Sequence, residues 1–162
     1  MTDAIILAVL VEAFLLFMAF NSDRLRRKDR ENEEEQRGRE SATAVKAVFR
    51  MSRRWQLSDD ELATLLGGLP VARVQHWRDQ LAASEGVDAE LTPDQIYRVR
   101  YLLGIDTTLH RLFSDEAQAD RWIKRPHTAP GFEGRSALEV MRRGYIDDLC
   151  FVRRYLDDVC QP

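Results

Sequence analysis

Three times in this chain a hydroxyl residue stands three positions ahead of a Glu or Gln at the edge of an apolar run: Ser58 with Glu61, Thr92 with Gln95, and Ser136 with Glu139. Each pair has the form of a capping box. The hydroxyl accepts from one free amide at a helix start, and the longer side chain folds back onto another. Leu57 and Leu62 flank the first box and Leu91 and Ile96 the second, at hydrophobic-staple positions. Helix starts marked this firmly leave little room for sheet. No stretch alternates with period two for long enough to be a strand, so the expectation is an all-α protein.

The stop signals agree. Gly67-Gly68 ends the helix begun at Ser58, and Pro70 and Pro93 suit the first turns of the two that follow. Ser114 is placed to cap a further short helix carrying Ala119, Trp122 and Ile123, and Gly104 to kink or divide the long run from Thr92 to Phe113. Apolar residues recur at helical spacing in each segment: Val45, Val48, Phe49, Met51 and Trp55; Val71, Val74, Trp77 and Leu81; Leu149, Val152, Leu156 and Val159.

The start of the chain is different. "AIILAVLVEAFLLFMAF", residues 4–20, is apolar apart from Glu12, and "RLRRKDRENEEEQRGRE" follows it. The run has neither a leading basic residue nor a trailing small-residue cleavage pattern, which argues against a signal peptide. Three readings fit it: a membrane anchor held from the inner face by Arg24, Arg26, Arg27, Lys28 and Arg30; a helix buried against its own copy in a homo-oligomer; or an upstream extension that is not normally made. Residues 21–40 carry seven positive and seven negative charges and read as a solvated helix or tether. The expected division is 1–20 hydrophobic helix, 21–43 charged helix or linker, 44–113 a first helical domain, and 114–162 a second.

Chemistry is sparse. The two cysteines, Cys150 and Cys160, are separated by roughly 15 Å if one helix holds both, too far for a disulfide and consistent with reduced thiols in the cytoplasm. His76, His110 and His127 are scattered, none at ligand spacing with a cysteine or another histidine. The reading is of a chain with no catalytic residues, no metal site and no cofactor.

"LSDDELATLLGGLPVARVQHWRD" reads as two short helices joined by a glycine turn, with Ala63 small where they cross. If Val71, Val74 and Trp77 face inward, Arg73, Gln75, His76 and Arg78 are left on the outer face of the second helix, where a DNA-binding helix-turn-helix meets base edges. Lys46, Arg50, Arg53 and Arg54 would then lie near phosphates. Net charge is −3, and residues 45–80 hold six basic and four acidic side chains. A surplus of two also fits a plain helical hairpin with a solvated face.

"PHTAPGFEGRSALEVM", residues 126–141, has its prolines and glycines arranged for an extended segment and a tight turn rather than a phosphate loop, because no strand precedes it and GxGxxG is absent. Phe132 is either a plug into the chain's own core or an anchor for a partner. The stretch from Trp122 through Pro126, Phe132, Gly134, Arg135, Ser136, Ala137, Leu138, Glu139 and Gly144 to Val152, Arg153, Tyr155, Leu156 and Asp157 resembles the toxin-binding domain of the MbcA/ParS/Xre antitoxin family. The upstream helices resemble that family's Xre-like helix-turn-helix. His127 stands where the family has asparagine, and Glu133 replaces the first glycine of a phenylalanine–glycine–glycine triplet.

The resemblance implies a non-enzymatic antitoxin of a type II toxin–antitoxin pair. Its partner would be a RES-domain toxin that consumes NAD, its C-terminal domain would cover the toxin's active site, and its helix-turn-helix would bind the operon's promoter DNA. On that view Arg135, Ser136, Met141, Arg142, Arg143, Tyr145, Arg153 and Tyr155 contact the toxin, while Arg73, Gln75, His76, Arg78, Arg53 and Arg54 contact DNA. Arginine and aromatic side chains of this kind dominate the energetics of interfaces. Met141 and Tyr155 serve equally well as core residues. A second function class fits the same sequence: a membrane-tethered helical adaptor with no DNA role.

Overall fold

The computed structural model describes residues 2–83 and 86–160, with side-chain surroundings at Met18 and Arg24 and from Arg26 onward. Among the described residues there are seven helices and no strand: α1 (Thr2–Arg54), α2 (Asp59–Leu65), α3 (Val71–Ala82), α4 (Pro93–Leu112), α5 (Glu116–Trp122), α6 (Ala137–Met141) and α7 (Ile146–Cys160). The chain divides into two units, residues 1–39 and residues 40–162. The first is helical, with exposed charged side chains from Arg26 to Arg39 that include the i,i+4 pairs Glu33–Arg37 and Glu35–Arg39. The reading of residues 1–20 as an anchor or an oligomer contact falls, Met18 apart, on side chains outside the described set. Among the described residues no helix is long and apolar enough to cross a membrane.

All three capping boxes form. Ser58, Thr92 and Ser136 accept from the amides of Glu61, Gln95 and Glu139, and those side chains bond back to the N-cap amides at 2.9, 2.9 and 2.7 Å. Gly67 and Gly68, with φ of +95° and +74°, end α2 as the sequence predicts, and their amides close onto the carbonyls of Thr64 and Ala63. Two starts move by one residue. Pro70 is the N-cap of α3 rather than its first helical residue, and Asp115, not Ser114, caps α5 by accepting from the Ala117 amide at 2.9 Å. Gly104 does not break α4, which runs unbroken to Leu112.

The second unit is built around one core. Trp55, Leu62, Leu65, Leu66, Val74 and Trp77 fill it from the end of α1 and from α2 and α3; Leu102, Ile105 and Leu109 enter from α4, and Met141, Val152 and Leu156 from α6 and α7. The segment between α3 and α4 is more ordered than its loose sequence implies. Val87, Ala89 and Leu91 alternate inward, and the Trp77 indole N–H donates to the Asp88 carbonyl at 3.1 Å.

Candidate functional site

The loop between α5 and α6 closes on itself through backbone bonds. Pro126 and Ser136 form an isolated antiparallel bridge, the His127 amide donates to the Arg135 carbonyl, and the Gly134 amide donates to the His127 carbonyl. Gly131 at φ +90° and Gly134 at φ +81° allow that path, and Glu133 between them is also left-handed at φ +54°. Phe132 is the plug of the two alternatives. It is fully buried, with ring centroids 5.0 Å from His127, 5.1 Å from Phe151 and 5.0 Å from Tyr155. Trp122 completes the cluster by stacking on Tyr155.

Burial in this cluster lowers the pKa of His127, against the opposing pull of its bond to the Trp122 carbonyl. The Glu139 carboxyl is held below the usual carboxylate range because it accepts from both the amide and the hydroxyl of Ser136. A rigid loop therefore presents the start of α6.

The residues singled out for a toxin contact fall into two groups. Met141 is in the core, and Ser136 is buried with its hydroxyl committed to the cap. Tyr155 is half-buried in the aromatic cluster, and Arg153 lies over Gly104 while pairing with Asp157 at 2.8 Å. Arg135 is partly covered and reaches Glu133 at 2.8 Å. The outward-facing group is Arg142, Arg143 and Tyr145, the last 68% exposed. Arg142 pairs with Glu61 of α2 at 3.0 Å; Arg143 pairs with buried Asp148, which raises the guanidinium's pKa further.

The proposed DNA-facing residues also separate. Gln75 and His76 are exposed on α3. Arg73, though exposed, donates to the Glu90 carbonyl at 3.1 Å and lies over the Trp77 ring. Arg78 pairs with Asp59 and sits over Phe49; Arg54 pairs with Asp106. Exposed Lys46, Arg50 and Arg53 line a shallow cleft with Phe49 and Leu81, so the accessible positive charge near α3 is carried by α1.

One structural arginine had no sequence signal. Arg98, buried on α4, bonds Asp94 at 2.7 Å and the Gly144 carbonyl at 3.0 Å, and so fixes the turn that carries Tyr145. Nothing in a lone arginine within a helical run marks it for that work.

Two family models match the chain: an antitoxin Xre-like helix-turn-helix domain over residues 34–104, and the antitoxin Xre/MbcA/ParS C-terminal toxin-binding domain over residues 108–159. Among curated proteins, the chain is similar to Uncharacterized protein y4oB of Sinorhizobium fredii (strain NBRC 101917 / NGR234). The two are 35% identical over 113 residues, covering 70% of this chain and 81% of that relative.

Proposed function

The chain belongs to the Xre/MbcA/ParS antitoxin family, a toxin–antitoxin antitoxin with a helix-turn-helix and a toxin-binding domain, and from that membership we propose that it neutralises a RES-domain, NAD-consuming toxin by covering the entrance to the toxin's active site. The observation that carries this reading is Tyr145. It is a large aromatic, 68% exposed, between two arginines and α7, on a turn that Arg98 holds from beneath. A rigidly mounted aromatic loses little conformational entropy on contact and is the kind of anchor that supplies most of an interface's affinity. Arg142 and Arg143 add charge around it.

The helix-turn-helix match supports a further proposal, that the chain regulates its own operon. We propose that Gln75 and His76 meet base edges, while Lys46, Arg50 and Arg53 meet phosphates. With Arg73, Arg78 and Arg54 held by partners within the fold, the phosphate contacts on α1 supply most of the affinity.

The deciding experiment is co-expression with a candidate RES-domain toxin. The full chain is expected to restore growth and co-purify with the toxin, and truncation after Gly144, which removes α7, to lose both. Growth rescue by the truncated chain refutes the covering role.

A further inference from the structure

We propose that Asp106, His110 and Asp120 form a divalent-cation site that pins α5 onto α4. Asp106 and His110 lie one turn apart on α4, and Asp120 comes from α5. One donor atom from each lies within 4.8 Å of the other two.

Three observations point to a cation. The Asp106 Oδ1 and Asp120 Oδ1 atoms are both shielded from solvent and have no hydrogen-bond partner, and Asp106 as a whole is 8% exposed. Buried carboxylate oxygens are normally paired or coordinated. Secondly, His110 Nδ1 lies 2.8 Å from the Asp106 carbonyl oxygen. A carbonyl only accepts, so Nδ1 carries the proton and Nε2 is left as a lone-pair donor facing Asp120 Oδ1 at 3.6 Å. Fixing the outer ring nitrogen on a backbone carbonyl is how proteins set the tautomer of a metal-binding histidine.

The third observation is charge. Arg54 engages Asp106 through Oδ2, and its Nε stands 3.8 Å from Asp120 Oδ1, beyond hydrogen-bond range. One cation thus faces two carboxylates, and one negative charge is left over. A proton on His110 Nε2 would sit on a 3.6 Å line to Asp120 and leave Asp106 Oδ1, 3.7 Å from Nδ1, still unpaired. A metal ion satisfies all three donors at once. Donors around a four-coordinate zinc are roughly 3.4 Å apart, close to the 3.6 Å between His110 Nε2 and Asp120 Oδ1, and the three donor sets lie within 4.8 Å of one another. One imidazole and two carboxylates suit zinc or a neighbouring first-row ion, with water in the remaining position.

The location gives the ion a structural task. Arg54 lies in the helix-turn-helix match, His110 and Asp120 in the toxin-binding match, and Asp106 between them. An ion here would stiffen the junction of the two domains whichever toxin is bound.

The test uses the full chain, stripped with chelator and titrated with Zn²⁺ alone in a calorimeter. Saturable binding of one ion per chain is expected, with a raised melting temperature. Co²⁺ is expected to give a visible ligand-field band without the thiolate charge-transfer band that binding at Cys150 or Cys160 would produce. His110→Gln and Asp120→Asn should each weaken binding at least tenfold while helical circular dichroism is unchanged. Absence of saturable heat, a thiolate–cobalt band, or a His110→Gln chain that binds zinc as tightly as the parent overturns the site.

Discussion

Gly131 and Gly134 occupy one loop with nearly the same left-handed backbone, φ +90° and +81°, yet their surroundings differ. A Cβ built at Gly134 meets nothing within 4 Å, whereas at Gly131 it would stand 2.5 and 2.7 Å from Cζ and Cε2 of Phe151. Alanine at Gly134 therefore incurs only the left-handed backbone penalty of about 1–2 kcal/mol, less about 0.4–1 kcal/mol recovered by restricting the unfolded chain. Alanine at Gly131 adds the cost of displacing a packed ring, about 1–3 kcal/mol. Moving the ring also disturbs its contact with Phe132, whose centroid lies 5.1 Å away. The expected destabilisations are about 1 kcal/mol for Gly134→Ala and about 2–4 kcal/mol for Gly131→Ala. Denaturant unfolding at unchanged slope reads both as shifts in midpoint. Phe151→Leu should relieve part of the Gly131→Ala cost, so the double variant is more stable than additivity allows. Equal losses at the two glycines, or strict additivity with Phe151→Leu, would refute the idea that the Phe151 ring sets the requirement at Gly131.

Further outcomes follow from the same geometry. His127 has its pKa lowered by burial, so the unfolded state binds the extra proton more readily; stability is fully present above the ordinary imidazole range and falls as pH drops through it towards the lowered folded value. Replacing His127 with asparagine should remove that part of the acid sensitivity in a series of unfolding curves from neutral to mildly acidic pH. Tyr145→Ala should leave the unfolding midpoint within about 0.5 kcal/mol of the parent, as exposed substitutions do, while weakening capture of the toxin in a pull-down by at least tenfold. On promoter DNA, Lys46→Ala and Arg50→Ala should each reduce the salt dependence of binding by about one charge and weaken all sequences alike. His76→Ala should instead narrow the gap between operator and unrelated DNA in the same gel-shift titration.

What could be read from the sequence was mostly local. The capping boxes formed because each needs only four consecutive residues and gives two amides a partner wherever the helix later packs. The one-residue errors at Pro70 and Asp115 have the same origin. Adjacent Ser114 and Asp115 are both competent caps, and only the path of the chain out of α4 decides between them. Burial of Phe132 and Met141 was open from the sequence, since an apolar side chain after a turn serves a core and an interface equally well. The departure at Glu133 was visible as a missing glycine, but its meaning required the backbone: the residue is left-handed at φ +54°, a conformation that L residues adopt at a cost.

Arginine was the residue type least readable in advance, and the reason is general to small helical proteins. A guanidinium is a donor to any carboxylate or carbonyl within its long reach, and a helix surface cannot show whether that acceptor will be on another molecule or on the next helix. Arg54, Arg78 and Arg98 found theirs within the fold, at Asp106, Asp59 and the Gly144 carbonyl. In each case the acceptor is distant in sequence: 52 residues for Arg54, 19 for Arg78 and 46 for Arg98. Arginines with such anchors are poor candidates for reading bases, because binding DNA would strip a partly buried carboxylate of its partner. On the proposed DNA-binding reading, affinity would fall to Lys46, Arg50 and Arg53, which face outward around a common cleft, and specificity to Gln75 and His76. On that reading, packing within the fold and sequence discrimination compete for the same side chains, and the packing has taken Arg73, Arg78 and Arg54, half of the six candidates.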